Sequence, residues 1–182
     1  MSEDTLQHWL AREAQLTEQL AQGPGPGIVQ VADVRHLDGL AIMQAVMEGR
    51  LPYATIAQTL DYLLVEVAAG RATFQGRPGP TQLNPMGGIH GGWYATLLDS
   101  AMACAVHTLM PAGRAYTTSE LSLNIVRAIR PDTPRVQAIG EVLHCGRQLA
   151  TAQGRLVGPD GTLYAHGTTT CLVFDYPAEK SS

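Results

Sequence analysis

One stretch of the sequence constrains the fold more than any other: the segment IHGGWYATLLDSAMACAVHTL, which runs from Ile89 to Leu109. It is apolar or small on nearly every side of a helix, and Asp99 is its one formally charged side chain. A helix that is apolar all round is enclosed by the rest of the protein. The sequence therefore predicts a long central helix whose large side chains, such as Trp93, Leu97 and Met102, belong to the core.

The segments on both sides of this helix have the pattern of β-strands. Before it, the runs 62–68 and 71–75 flank Ala69-Gly70 and predict a hairpin. After it come TTSELSLNIVRAI, RVQAIGEVLHCG, QLATAQGRLVG and LYAHGTTTCLVFDY, which predict four successive strands joined by short turns. Because short turns join antiparallel strands, the predicted class is α+β, with an antiparallel sheet that curls around the helix.

The N-terminal region has a different character. A stripe of leucines predicts a helix over residues 4–22, the sequence GPGPG then interrupts it, and a second helix is predicted over residues 36–48. Two interpretations of this region stay open: an arm packed on the domain or on a partner chain, or a mobile segment. The predicted organisation is a helical extension over 1–38, a domain over 39–176 and a flexible tail over 177–182.

Composition excludes several classes of function. The chain has 182 residues, 45% of them hydrophobic and 15% charged, which suits one globular domain. Its formal net charge of −4 argues against a nucleic-acid-binding protein. The N-terminus lacks an apolar signal region, so we expect a cytoplasmic protein with no membrane partner. Three widely spaced cysteines predict buried free thiols, with no disulfide framework and no zinc site.

The start of the central helix and its aspartate are the candidate functional groups. The first N–H groups of a helix have no intrahelical acceptor, and Gly91 and Gly92 have no side chain that would keep a ligand oxygen away. Such amides suit a carbonyl oxygen that becomes an oxyanion, although a glycine-rich loop entering a packed helix explains them equally well. Asp99 is correspondingly a catalytic carboxylate, a structural acid with hydrogen-bond donors around it, or a residue that faces solvent at a helix edge.

The spacing of these two features predicts how they would work together. His90 and Asp99 lie nine residues apart, which corresponds to about 13 Å along a helix. The helix start and the carboxylate of one chain therefore cannot act on the same carbonyl group. A two-fold dimer with antiparallel helices would place Asp99 of one chain opposite Gly91 of the other, so an enzyme of this design would share its sites between subunits.

Several stretches together resemble the hotdog-fold acyl-CoA thioesterases of the phenylacetate-degradation (PaaI-like) type: LNPMGGIHGGWYATLLDSAMACA, TTSELSLNIVRAIRP, GR before a strand and GTTT in the last strand. The resemblance covers residues 39–174. Its most specific element is the spacing of five residues, Asn84, His90, Gly91, Gly92 and Asp99. It implies the hotdog fold, a homodimer and often a homotetramer, and hydrolysis of an acyl-CoA thioester without metal or cofactor, coenzyme A being part of the substrate.

The resemblance also implies a role for each catalytic candidate. The Gly91 amide would bind the oxyanion, and His90 would orient the loop and contact the thioester. Asn84 would hold the lytic water or the carbonyl group, although a turn explains this residue equally well. Asp99 of the opposite chain would be general base or nucleophile. Thr118 would help to place the water, or it is simply a strand residue.

The remaining expectations concern the substrate. We expect an aromatic or medium-chain acyl group, with Gly92 close to it. Arg127, Arg130 and Arg147 would face the phosphates of coenzyme A because a planar guanidinium suits phosphate, although solvated strand ends explain them as well. A hydratase on the same fold would need a different pairing of histidine and acid, which the sequence lacks. A non-catalytic acyl-CoA-binding or sensor module remains the alternative.

Overall fold

The structure, a computed structural model, describes residues 2–177. Its elements are α1 (Ser2–Ala21), α2 (Val31–Val34), α3 (Gly39–Met47), α4 (Thr55–Thr59), β1 (Tyr62–Ala68), β2 (Arg71–Gly76), a 3-10 turn (Pro80–Gln82), α5 (Gly91–His107), β3 (Arg114–Ile125), β4 (Val136–Cys145), β5 (Leu149–Val157) and β6 (Leu163–Asp175). The predicted α+β class and hotdog fold are confirmed. Of the predicted tail, residues 178–182 lie outside the described part of the chain.

The strands form one six-stranded sheet in the order β1-β2-β4-β5-β6-β3, and every neighbouring pair is antiparallel. The predicted β1–β2 hairpin is confirmed. The expectation of a short turn between each of the last four strands is wrong for β3 and β4, which are not neighbours. The connection over 126–135 carries the chain from the β3 edge to β2, because β3 pairs with β6 on the far side of the curled sheet.

Helix α5 fills the concave side of this sheet. Its residues Trp93, Leu97 and Met102 are at most 2% exposed, which confirms them as core. The backbone of α5 comes very close to β4, because a Cβ atom added at Gly140 would overlap the carbonyl group of Ala101. In the described part of the chain, no helix is both long and apolar enough to cross a membrane.

Helix α1 covers part of the convex side of the sheet. The β2 residue Gln75 points away from α5 and is 2% exposed. Its Nε2 donates to the carboxylate of Glu13 on α1 (2.6 Å), which also accepts from Arg135 Nε (2.5 Å). Leu16 of the same helix is 1% exposed. Of the two interpretations of the N-terminal region, the structure therefore shows packing on the chain's own domain, whereas the predicted boundary at residue 38 stays a prediction.

The cysteines only partly match the expectation of buried thiols. All three are free: Cys171 is buried and Cys104 is half-buried. Cys145 is exposed, so the prediction is wrong for this residue. The reason is its position at the end of β4, where the strand leaves the core and enters the turn to β5.

Candidate active site

The loop that leads into α5 is organised by Asn84. Its Oδ1 accepts hydrogen bonds from the backbone N–H groups of Met86 (2.9 Å) and Gly88 (3.2 Å). Its own backbone N–H donates to the carbonyl oxygen of Gly88 (2.8 Å). The turn interpretation thus accounts for the Asn84 oxygen. The side-chain amide nitrogen is the group that this residue would present to a water or a carbonyl oxygen.

His90 is the N-cap of α5. Its Nδ1 accepts a hydrogen bond from the Gly92 N–H (2.9 Å), so Nε2 carries the proton when the ring is neutral. Its carbonyl oxygen accepts from the Trp93 N–H (2.9 Å). Because the cap engages the Gly92 amide, the Gly91 N–H is the one that the first turn offers to a ligand.

Asp99 lies at the middle of α5 and is held from the sheet. The Thr118 hydroxyl on β3 donates to its Oδ1 over 2.9 Å, which leaves Oδ2 for another partner. The pairing of β3 with β6 shifts register between Thr118 and Glu120, so Ser119 is left out of the ladder as a β-bulge. Bulges re-aim neighbouring side chains, and here the bulge adjoins the threonine that holds the carboxylate.

The predicted catalytic residues therefore form two groups. Asn84, His90 and Gly91 lie together in the loop and first turn of α5, whereas Asp99 and Thr118 lie together farther along the same helix. Gly91 and Asp99 are eight positions apart on one continuous helix, about 12 Å. The structure does not bring the two groups together within one chain, which agrees with the separation expected from the sequence.

The side of α5 that bears Asp99 faces a cavity of about 460 Å³, which also contains Ser100, Cys104 and His107. Burial lowers the pKa of His107 to about 4 and raises the pKa of the Cys104 thiol to about 12, so both are uncharged at neutral pH. No motif in the sequence connected these residues with the site. Their spacing of four and three residues, which puts them on one helix face with Asp99, is the signal that would have found them.

The three arginines assigned to phosphate are exposed and lie in two places. Arg127 and Arg130 follow the end of β3, and Arg130 makes a bidentate ion pair with Asp132 (2.9 and 3.0 Å). Arg147 lies in the turn between β4 and β5, where its carbonyl oxygen accepts from Arg114 at the start of β3. Their contact with phosphate stays a prediction, and Arg130 would share its charge with Asp132.

An antiparallel sheet that curls around a long central helix defines a hotdog-fold domain. Residues 86–165 match the family model of the thioesterase superfamily. The resemblance stated from the sequence motifs is thereby confirmed, and thioester hydrolysis is the activity that this family indicates.

Solved structures give the same picture. A thioesterase family protein from Silicibacter pomeroyi is 25% identical, with a TM-score of 0.62, over 67% of this chain and 90% of that one. A variant of the phenylacetic acid degradation protein PaaI from Thermus thermophilus is 26% identical (TM-score 0.57; 64% and 96% covered). A phenylacetic acid degradation-related protein from Ralstonia eutropha is also 26% identical (TM-score 0.64; 71% and 97% covered). The search of curated proteins found no match.

Proposed function

We propose that the protein is an acyl-CoA thioesterase that hydrolyses an aromatic or medium-chain acyl-CoA to the free acid and coenzyme A. The observation that carries this proposal is the hydrogen bond from Thr118 to Asp99 (2.9 Å), because it holds a half-buried carboxylate in a cavity of a domain that matches the thioesterase superfamily. No cofactor enters the reaction. The proposed location is the cytoplasm, and the proposed assembly is a homodimer that pairs into a homotetramer.

In the proposed reaction, Asp99 acts as general base. Its free Oδ2 takes a proton from water, and the water oxygen attacks the thioester carbonyl carbon. The carbonyl oxygen becomes an oxyanion and accepts a hydrogen bond from the Gly91 N–H at the positive end of the helix dipole. The intermediate then collapses, the C–S bond breaks, and the thiolate of coenzyme A takes up the proton. Direct attack by the carboxylate is the other route, which the short side chain of aspartate disfavours.

The edge strand β3 supports a site shared between two chains. Thr118 on β3 holds Asp99, and Ile125 at the other end of β3 lies beside the helix start, where a Cβ atom added to Gly91 would contact its Cδ1 at 3.4 Å. Within residues 2–177, β3 pairs with β6 alone. Antiparallel pairing of two β3 strands about a point between residues 121 and 122 would set Thr118 of one chain opposite Ile125 of the other. Each Asp99 would then face the Gly91 amide of its partner.

The first test is the release of free thiol from phenylacetyl-, benzoyl-, hexanoyl- and palmitoyl-CoA by the wild type and by Asp99→Asn. Asparagine keeps the acceptor for Thr118 and removes the base. We expect turnover on at least one substrate and a loss of about 10²- to 10⁴-fold in the variant, the usual contribution of a general base. An unchanged rate in an equally stable variant refutes the catalytic role. Binding of acyl-CoA without turnover in the wild type supports the sensor alternative.

The second test asks whether the site is shared. Gly91→Pro removes the oxyanion donor with little disturbance, because proline is favoured at the first helical position and His90 already has the extended backbone (ψ 137°) that a residue before proline needs. Gly91→Ala is the matched control, since it adds a Cβ atom and keeps the N–H. In a heterodimer of Asp99→Asn with Gly91→Pro, one of the two shared sites keeps both Asp99 and the Gly91 N–H. Each heterodimer should therefore have about half of the activity of a wild-type dimer. Verified heterodimers without activity refute the shared site.

A further inference from the structure

A predominantly apolar cavity of the described chain lies outside the catalytic groups. It has a volume of about 320 Å³ and lies between residues 27–57 on one side and α5 and β1 on the other. Ile42 and Val46 of α3 line one wall, and Tyr62, Ser100 and Cys104 line the opposite one. Its lining contains no aspartate, glutamate, lysine or arginine among the described residues. Such a cavity suits an uncharged, apolar group.

This cavity adjoins the cavity that contains Asp99. The two share the side chains of Ser100, Cys104 and His107 on α5. Ser100 directly follows the catalytic aspartate, and Cys104 is one helical turn farther along. An acyl chain that extends from a thioester at Asp99 along this face of α5 would therefore enter the apolar cavity.

The polar groups on α5 that line the shared wall carry no charge at neutral pH. The Tyr62 hydroxyl and Ser100 Oγ are 3.0 Å apart and satisfy each other. Cys104 and His107 are uncharged at neutral pH, as the shifts of their pKa values by burial show. An alkyl chain passing this wall thus meets no charged side chain among the described residues of the cavity.

The opposite wall of the cavity lies in a part of the chain that the family match does not include. That match begins at residue 86, whereas the wall is built from residues 27–57. The similar structures are covered over 90–97% of their own length but cover 64–71% of this chain. About a third of this chain is therefore not covered by each of them, and residues 27–57 lie outside the family match.

We propose that this cavity is the acyl-chain pocket of the enzyme and that residues 27–57 are its specificity element, which selects an apolar acyl group of medium size. The inference rests on the proposed thioesterase function and names the part of the chain that selects its acyl group. The volume lies at the small end of ligand pockets, which span about 300–1,000 Å³, and this favours a medium chain over a long one. Each methylene group that enters the pocket should strengthen binding roughly fourfold.

The test fills the pocket from α3. Val46→Phe places a ring in the cavity, and Gln44→Phe adds the same ring at an exposed position two residues earlier. We measure kcat/KM for acetyl-, hexanoyl-, octanoyl- and phenylacetyl-CoA. Val46→Phe should lower the octanoyl-to-acetyl ratio at least tenfold, and Gln44→Phe should leave it unchanged. Val46→Ala, which enlarges the pocket, should move the preferred chain length up by one or two carbons and keeps the test valid if the phenylalanine variant does not fold.

A binding measurement separates failure of this inference from failure of the proposed function. The probe is octyl-CoA, a thioether that cannot be hydrolysed, titrated into wild type and Val46→Phe. Weaker binding to Val46→Phe, with no hydrolysis of any thioester by the wild type, supports the pocket and refutes the enzyme. Hydrolysis with the same chain-length preference in all Val46 variants refutes the pocket and keeps the enzyme. A preference for phenylacetyl-CoA that Val46→Phe does not change also overturns the assignment of this cavity as the acyl pocket.

Discussion

Replacing His107 should remove a large part of the acid sensitivity of the fold. The ring lies against Tyr116, with centroids 5.1 Å apart, and burial lowers its pKa to about 4. The unfolded chain has a histidine pKa of about 6.5, so between these values the unfolded state binds more protons than the folded state. His107 therefore does not lower the free energy of unfolding above pH 6.5, and it lowers this free energy progressively as the pH drops toward 4.

The size of this effect follows from the two pKa values. Proton linkage gives a loss of about 2 kcal/mol at pH 5 and about 3 kcal/mol once the pH is below 4. His107→Phe keeps an aromatic ring against Tyr116 and cannot take up a proton. Between pH 7.5 and pH 5, the free energy of unfolding of the wild type should therefore fall by about 2 kcal/mol more than that of His107→Phe.

The assay is chemical unfolding by guanidinium chloride at pH 7.5, 6, 5 and 4.5, followed by tryptophan fluorescence. Every other titrating group is common to both proteins, so the difference between their pH profiles isolates His107. His144→Gln, at an exposed position on β4, is the control for removal of a histidine and should follow the wild type. Parallel profiles for wild type and His107→Phe would refute the assignment of His107 as a buried neutral group.

Three further predictions concern the site and the fold. Thr118→Val removes the hydroxyl that holds Asp99, and kcat should fall about tenfold or more with little change in the free energy of unfolding, as steady-state kinetics and urea unfolding would show. Gly140→Ala should destabilise the protein by about 1–3 kcal/mol or more, because the added methyl group overlaps the Ala101 carbonyl; a stability equal to the wild type would contradict the close packing of α5 on β4. Glu13→Gln should lower the free energy of unfolding by about 1–3 kcal/mol at pH 7. Burial raises the pKa of the Glu13 carboxyl less than its hydrogen bonds and ion pair lower it, so the difference between variant and wild type should shrink as the pH falls below about 4.5. A difference that does not depend on pH would contradict this explanation.

The elements that the sequence predicted well are those with a strong local signal. The apolar run after residue 89 predicted α5, and the alternating runs around Ala69-Gly70 predicted the β1–β2 hairpin, because side-chain periodicity reports directly on which face is buried. The expected short turn between β3 and β4 was wrong because strand order depends on which edges meet when a sheet curls, and no local pattern encodes that. Exposure of Cys145 depends likewise on where a strand leaves the core.

The candidate site shows the same division. Residue types and spacing named Asn84, His90, Gly91 and Asp99, and helix geometry alone separated the glycine from the carboxylate by about 12 Å. The sequence left open whether Asn84 and Thr118 were turn and strand residues or parts of a site. The hydrogen bonds show that the Asn84 oxygen builds the turn and that the Thr118 hydroxyl holds the carboxylate.

The groups that can do chemistry and the helix that carries them follow from the amino-acid sequence, since residue identity and the 3.6-residue period are local properties. The tertiary fold sets what surrounds those groups. It placed α1 on the convex face of the sheet, put Thr118 beside Asp99 across nineteen residues, and left an apolar cavity between residues 27–57 and α5. These relations join segments that are distant in sequence, and they depend on how the sheet curls around the helix, which no single segment specifies.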